Sequence, residues 1–275
     1  MKKSIRLSLT ALLALVFLFS TAKLLTQQQD NTAGSSSYQD AIVLASSKTP
    51  LAALPEPTTE PTSAPEILQW VPAPLEEEDP HIQTLAEMDL EALREVNPDV
   101  VGWILIPDTK VNYPLMQGED NDYYLNRTWE GKRNSIGSIF LEHLNSPDLT
   151  DFNTIVYGHN MKNGAMFGCL HQFRYQDHWQ THPYVYIRTD EGTYRYEIFA
   201  AYRAEKESNT YALHFPNDPF KEAFVQEALE NSVIETGVQP EITDRFLTLS
   251  TCSGAGYSTR WVVQARLKMV QEVVR

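Results

Sequence analysis

Leu247-Thr248-Leu249-Ser250-Thr251-Cys252 is the stretch from which the rest of the chain can be read. A β-branched and leucine-rich run ends abruptly in one cysteine. Small residues follow it, Ser253 to Gly256, and a second apolar run opens with Arg260-Trp261-Val262-Val263. The pattern predicts a strand with the cysteine at its end, a flexible loop, and an arginine at the start of the return strand. Far upstream, Thr154-Ile155-Val156-Tyr157 is another strand candidate and ends in Gly158-His159-Asn160. A Cys, a His and an Arg at strand tips can present a nucleophile, a proton carrier and an oxyanion stabiliser together. A half-buried structural Cys, a surface His and a solvated Arg would share the same spacing.

Outward from that stretch, short apolar runs alternate with turn residues. Val101 to Ile106, a turn at Pro107-Asp108 and Val111 to Met116 predict a hairpin. Gly137 to Leu141 and Thr154 to Tyr157 are further strands. Val185 to Arg188 and Tyr194 to Arg203 form a second hairpin, and Phe246 to Thr251 and Trp261 to Val270 are the last two strands. Helical spacing appears over 81–96, ended by Asn97-Pro98, over Ala165 to Tyr175, and over Phe220 to Asn231. The class is mainly β, a barrel or sandwich with helices outside it.

The 275 residues carry a formal net charge of −14. With no basic footprint there are no counterions to release, which excludes a nucleic-acid partner. No Gly-rich loop follows a strand, so nucleotide binding has no support.

Lys2, Lys3 and Arg6 precede an apolar run from Leu7 to Leu25. About 20 apolar residues span a bilayer, so residues 1–25 are expected to be a single-pass membrane anchor. The basic flank puts the N-terminus in the cytoplasm and the rest outside the cell. Ser20-Thr21-Ala22 leaves a cleaved signal peptide as the alternative. Residues 26–80, rich in Gln, Ser, Thr and Pro and closing on Glu76-Glu77-Glu78-Asp79, are expected to be a disordered acidic stalk. The folded domain then covers 81–275.

Among rival chemistries, His178 and His182 are four apart and could share a helix face as zinc ligands, but Pro183 and the missing third ligand weaken this. Cysteine chemistry fits better. A free thiol has a pKa of about 8.5, and a neighbouring imidazole raises its reactivity. Arg suits an oxyanion because its guanidinium stays charged and offers a fixed fork of donors. Cys169, beside Phe167 and Leu170 in a helix candidate, fits a packing role, and Cys252 beside a Gly-rich loop is the approachable thiol. A Cys169–Cys252 disulfide is the competing arrangement.

Thr248-Leu249-Ser250-Thr251-Cys252, with an Arg eight residues on, resembles the catalytic signature of sortases. Tyr157-Gly158-His159-Asn160-Met161 resembles the class B form of the histidine motif. Further class B likenesses are Asn97 to Trp103, Asp120 to Asn126 and Gly137 to Leu141. The resemblance covers about residue 85 to the end. It implies a closed sortase-type β-barrel with an N-terminal helix and peripheral helices. It also implies transpeptidation of an exported protein carrying a C-terminal sorting signal. By this resemblance Cys252 attacks the carbonyl after the signal's Thr, His159 is acid and then base, and Arg260 steadies the oxyanion. The acceptor is a peptidoglycan cross-bridge amine or a pilin lysine. Asn121, Leu125, Tyr157 and Ser250 match positions lining the substrate groove, and Tyr211 does so more loosely. For Leu125 and Tyr157 ordinary core packing is the competing role. No metal or other cofactor is expected. An exported cysteine peptidase that passes the acyl group to water would use the same residues.

Overall fold

The computed structural model describes residues 2–46, 79–252 and 258–272. Eight strands form its centre: β1 (Val100–Leu105), β2 (Asn112–Met116), β3 (Ile139–Leu141), β4 (Asn153–His159), β5 (Tyr184–Arg188), β6 (Gly192–Glu205), β7 (Phe246–Cys252) and β8 (Thr259–Glu272). They close into a barrel in the order β1-β2-β3-β4-β7-β8-β6-β5, with β5 returning to β1. Closure gives each of the eight strands two neighbours. Most pairs are antiparallel, but β2–β3 and β4–β7 are parallel.

Side chains alternate between faces along each strand. Leu247 and Leu249 on β7, and Val263 and Ala265 on β8, belong to the main core with Val156 and Trp103. Their neighbours Phe246 and Val262 join a second core with Tyr202 and Phe199 of β6, beneath helix α5 (Asp218–Asn231). In that helix Asn217 caps the backbone and Phe224 and Ala228 are buried. On the face of that second core runs a buried polar chain. Thr248 Oγ1 donates to Asn153 Oδ1 (2.7 Å), Gln264 Nε2 donates to Thr248 Oγ1 (2.9 Å), and Tyr202 OH donates to Gln264 Oε1 (2.9 Å). Asn153 Nδ2 then reaches the carbonyls of Thr210 and Ala212 at 3.1 and 3.0 Å. Every member pairs, which is the condition for tolerating polar groups at this depth.

The N-terminal third departs from expectation. Residues 2–45 form one helix, α1 (Lys2–Ala45). Its later turns pack on the barrel, with Tyr38, Ala41 and Ala45 buried. Tyr38 OH donates to the Gly137 carbonyl (2.5 Å), and Trp129 Nε1 donates to the Ser37 carbonyl (2.9 Å). The segment 26–45, expected to be stalk, is therefore helical. It has small and aromatic side chains at the spacing needed to seat it. The remainder of the expected stalk, 47–78, lies outside the described residues. Among the described residues no helix is long and apolar enough to cross a membrane. That finding overturns the single-pass anchor, and with it the cytoplasmic N-terminus and extracellular domain expected from residues 1–25. The apolar run is one end of a longer helix that continues through Gln27, Gln28, Gln29 and Asp30.

The helix expected over 81–96 is two helices, α2 (Pro80–Ala86) and α3 (Leu90–Val96). Asp89 breaks them apart because its side chain accepts from the backbone N–H of Ala92 and caps α3. The helix expected over 165–175 is a 3-10 helix, Gly168–Arg174, followed by α4 (Gln176–Thr181). On α4 the His178 ring meets the ring of the C-capping His182 at a tilt, with centroids 4.2 Å apart, and the edge of Phe173. Burial, with His182 as a second cause, pulls the His178 pKa down to about 4.

Between pH 6.5 and 4 an unfolded chain takes up a proton that folded His178 refuses, so stability falls as pH drops through that window. The melting temperature is expected to decline over this range, and to decline less in His178→Gln. Parallel pH profiles for the two proteins would remove His178 from the acid response.

Candidate active site

The parallel register of β4 and β7 pairs Asn153 with Phe246 and continues residue by residue to His159 opposite Cys252. Neighbouring strands lie about 4.8 Å apart, so positions 159 and 252 are backbone neighbours at the ends of the two strands. On the other flank β7 pairs antiparallel with β8, ending at Ser250 opposite Val262. Arg260 lies on β8 two residues before Val262, where the strand pairs with Ala204 of β6 on its other side. The three residues singled out from the sequence thus come from three consecutive strands, with Cys252 in the middle. Arg260 is half-buried and its Nη1 donates to the Thr259 carbonyl at 3.3 Å.

His159 is held from the opposite side. Its Nε2 lies 2.6 Å from the Leu125 carbonyl oxygen. A carbonyl can only accept, so Nε2 carries a hydrogen there and proton exchange falls to Nδ1. Gly137, next to this contact, has φ of +64°. A Cβ there would come within 2.6 Å of His159 Cδ2 and 2.7 Å of the Leu125 oxygen. Only glycine suits both the backbone and the space.

The other groove candidates divide. Tyr211, on the 3-10 helix Asn209–Tyr211, shares a hydrogen bond with Ser250 (OH to Oγ, 2.9 Å). Ser250 is fully buried beneath it, so its hydroxyl supports Tyr211 in this state. Leu125 contributes its carbonyl to His159, while its partly buried side chain packs against the core. Asn121 and Tyr157 converge on a residue that the sequence reading passed over. Glu142 follows β3 and is 5% exposed. Its Oε2 accepts from Asn121 Nδ2 (2.6 Å) and Tyr157 OH (3.0 Å), and its Oε1 lies 2.7 Å from His143 Nδ1. The available signal was its place directly after the Gly137–Leu141 motif.

Cys169 is a free cysteine, which removes the competing disulfide with Cys252. Burial raises its pKa and keeps it a thiol. It lines a cavity of about 530 Å³ with His178, His182 and Lys110. Among the described residues no group of three or more His, Cys, Asp or Glu is placed to hold a metal ion.

Residues 104–268 match the family model described as Sortase domain. The chain is 36% identical to Sortase B of Listeria monocytogenes over 181 residues, covering 65% of this chain and 74% of that one. It is 35% identical to Sortase B of Staphylococcus aureus over 179 residues, covering 64% and 73%. The solved Staphylococcus aureus sortase B–substrate complex superposes with a TM-score of 0.64 at 34% identity, over 66% of this chain and 85% of that one.

Gly137→Ala is expected to destabilise the fold by about 1–2 kcal/mol through its left-handed backbone and to displace the His159 ring. Denaturant unfolding reads the first effect and the imidazole NMR resonances the second. Unshifted His159 resonances would mean that the ring does not rest on this glycine.

Proposed function

The chain belongs to the sortase family, in its class B, and is a cysteine transpeptidase; we propose that Cys252, His159 and Arg260 carry the reaction on a protein bearing a C-terminal sorting signal. The observation that carries this reading is the β4–β7 register, which sets His159 opposite Cys252. The place of Arg260 on β8, two residues before the partner of Ser250, supports it as the third member.

In this scheme the signal lies in the groove walled by Tyr157, Asn121 and Tyr211, with Leu125 and Ser250 holding that wall from behind. With its thiol proton passed to His159 Nδ1, the Cys252 sulfur attacks the carbonyl carbon after the signal's Thr. The carbonyl oxygen becomes an oxyanion facing the Arg260 guanidinium, whose charge persists at any relevant pH. As the C–N bond breaks, His159 Nδ1 gives its proton to the departing amine and a thioacyl-enzyme remains. An incoming amine then attacks the thioester, His159 takes its proton, and Cys252 leaves as thiolate. The acceptor is a peptidoglycan cross-bridge amine or a pilin lysine. The Leu125 carbonyl keeps Nε2 out of this exchange, so one nitrogen serves both half-reactions.

Incubating the full chain with a library of sorting-signal peptides and mapping adducts by mass tests the reading. A thioacyl adduct is expected on Cys252 and none is expected in Cys252→Ala. Adduct formation at an unchanged rate in that variant would end the proposal. Arg260→Lys is expected to slow acylation on the order of one hundredfold or more, because a single ammonium cannot reproduce the fork of donors. A rate near that of the parent protein would take Arg260 out of the mechanism.

A further inference from the structure

Resting on the sorting-signal reading above, we propose that Glu142 is a positioning residue for peptide selection, fixing Asn121 and Tyr157 and so setting the hydrogen-bond polarity of one groove wall. A carboxylate at 5% exposure is costly unless its lone pairs are taken up. Here they are. Oε2 takes Asn121 Nδ2 at 2.6 Å and Tyr157 OH at 3.0 Å, and Oε1 takes His143 Nδ1 at 2.7 Å and the Leu144 N–H at 3.4 Å. An apolar side chain of similar volume would close the end of β3 at lower cost. The carboxylate's partners include both polar residues of this wall.

The chemistry of those bonds sets directions. A carboxylate oxygen only accepts, so the single proton of the Tyr157 hydroxyl is committed to Glu142, and any other hydrogen-bond partner of that hydroxyl must be a donor. Asn121 is oriented at both ends. Its Nδ2 is on Glu142, and its Oδ1 accepts from the His143 N–H at 3.0 Å. The amide therefore has one orientation and not two. The Tyr157 ring is held separately against Phe140, with centroids 5.4 Å apart. Losing Glu142 would thus remove the acceptor of the hydroxyl proton and leave the Asn121 amide held at its Oδ1 end, while the ring keeps its contact with Phe140. Glu142 lies beyond β3, across β4 from Cys252, so its influence falls on which peptide is held and not on the thiol.

Peptide KM and kcat for thioacyl formation, the ranking of peptides varied at each position before the Thr, and the rate of Cys252 alkylation by iodoacetamide are measured on the full chain. In Glu142→Met, KM is expected to rise about tenfold or more, as for loss of hydrogen bonds to a charged group. The expected kcat and alkylation rate stay within about threefold, and the peptide ranking changes at one position. Glu142→Gln keeps one acceptor oxygen and is expected to recover most of the KM. Tyr157→Phe should reproduce the altered ranking and covers the case in which Glu142→Met fails to fold. Unchanged KM and ranking in Glu142→Met would overturn the proposal. So would a fall in kcat matched by slower alkylation, or an unfolded Glu142→Met alongside a Tyr157→Phe of parental KM and ranking. If the parent protein forms no adduct with any peptide, the sorting-signal reading fails first and this proposal falls with it.

Discussion

Seven residues of β4 lie in parallel register beside seven of β7, and the arrangement of the candidate site follows from that pairing. Parallel neighbours need a long crossover, and here the crossover contains β5, β6 and α5. The cost of that loop is offset by what the register delivers. Because side chains alternate along a strand, a slip of one residue would turn every β7 side chain to the opposite face. Leu247 and Leu249 would leave the main core, and position 252 would turn away from the face it shares with His159. Core packing and site geometry are thus enforced by the same pairing.

The buried polar chain makes that register more specific than apolar packing alone would. Asn153, Thr248, Gln264 and Tyr202 sit on four neighbouring strands and bond in sequence. Leucine and valine tolerate small shifts, but a carboxamide and a hydroxyl lose their partners at once. The chain also reaches the carbonyls of Thr210 and Ala212 through Asn153. Those residues bracket Tyr211. The segment that covers Ser250 is therefore fastened to β4 and β7, the strands that carry His159 and Cys252.

Strands and the Cys, His and Arg positions were legible because each depends on local pattern: an apolar run, its abrupt end, and a small-residue loop after it. The parts that escaped depend on distant partners. Asp89 looks like one more polar residue on a helix face until its side chain is seen capping Ala92. Glu142 has no periodic signature, and its role exists only because Asn121 and Tyr157 arrive from other segments. The segment 26–45 has the composition of a linker, and its helix depends on the seats that Tyr38, Ala41 and Ala45 find on the barrel. His178 lies on α4 but His182 follows its end as the C-cap; their rings meet at a tilt, and among the described residues no third ligand joins them.

The Tyr38 hydroxyl ends on the carbonyl of Gly137, the residue that abuts the His159 ring. One peptide unit therefore touches the N-terminal helix with its oxygen and the imidazole with its α-carbon. Composition alone would invite trimming the chain at residue 81 to obtain a minimal catalytic domain. Such a fragment would expose the surface beneath Tyr38 and Ala41 and leave the Trp129 indole N–H without its Ser37 acceptor. The peptide that shapes the histidine's seat would also lose its buttress. For this chain, the smallest unit that preserves the neighbourhood of the imidazole begins well before the barrel.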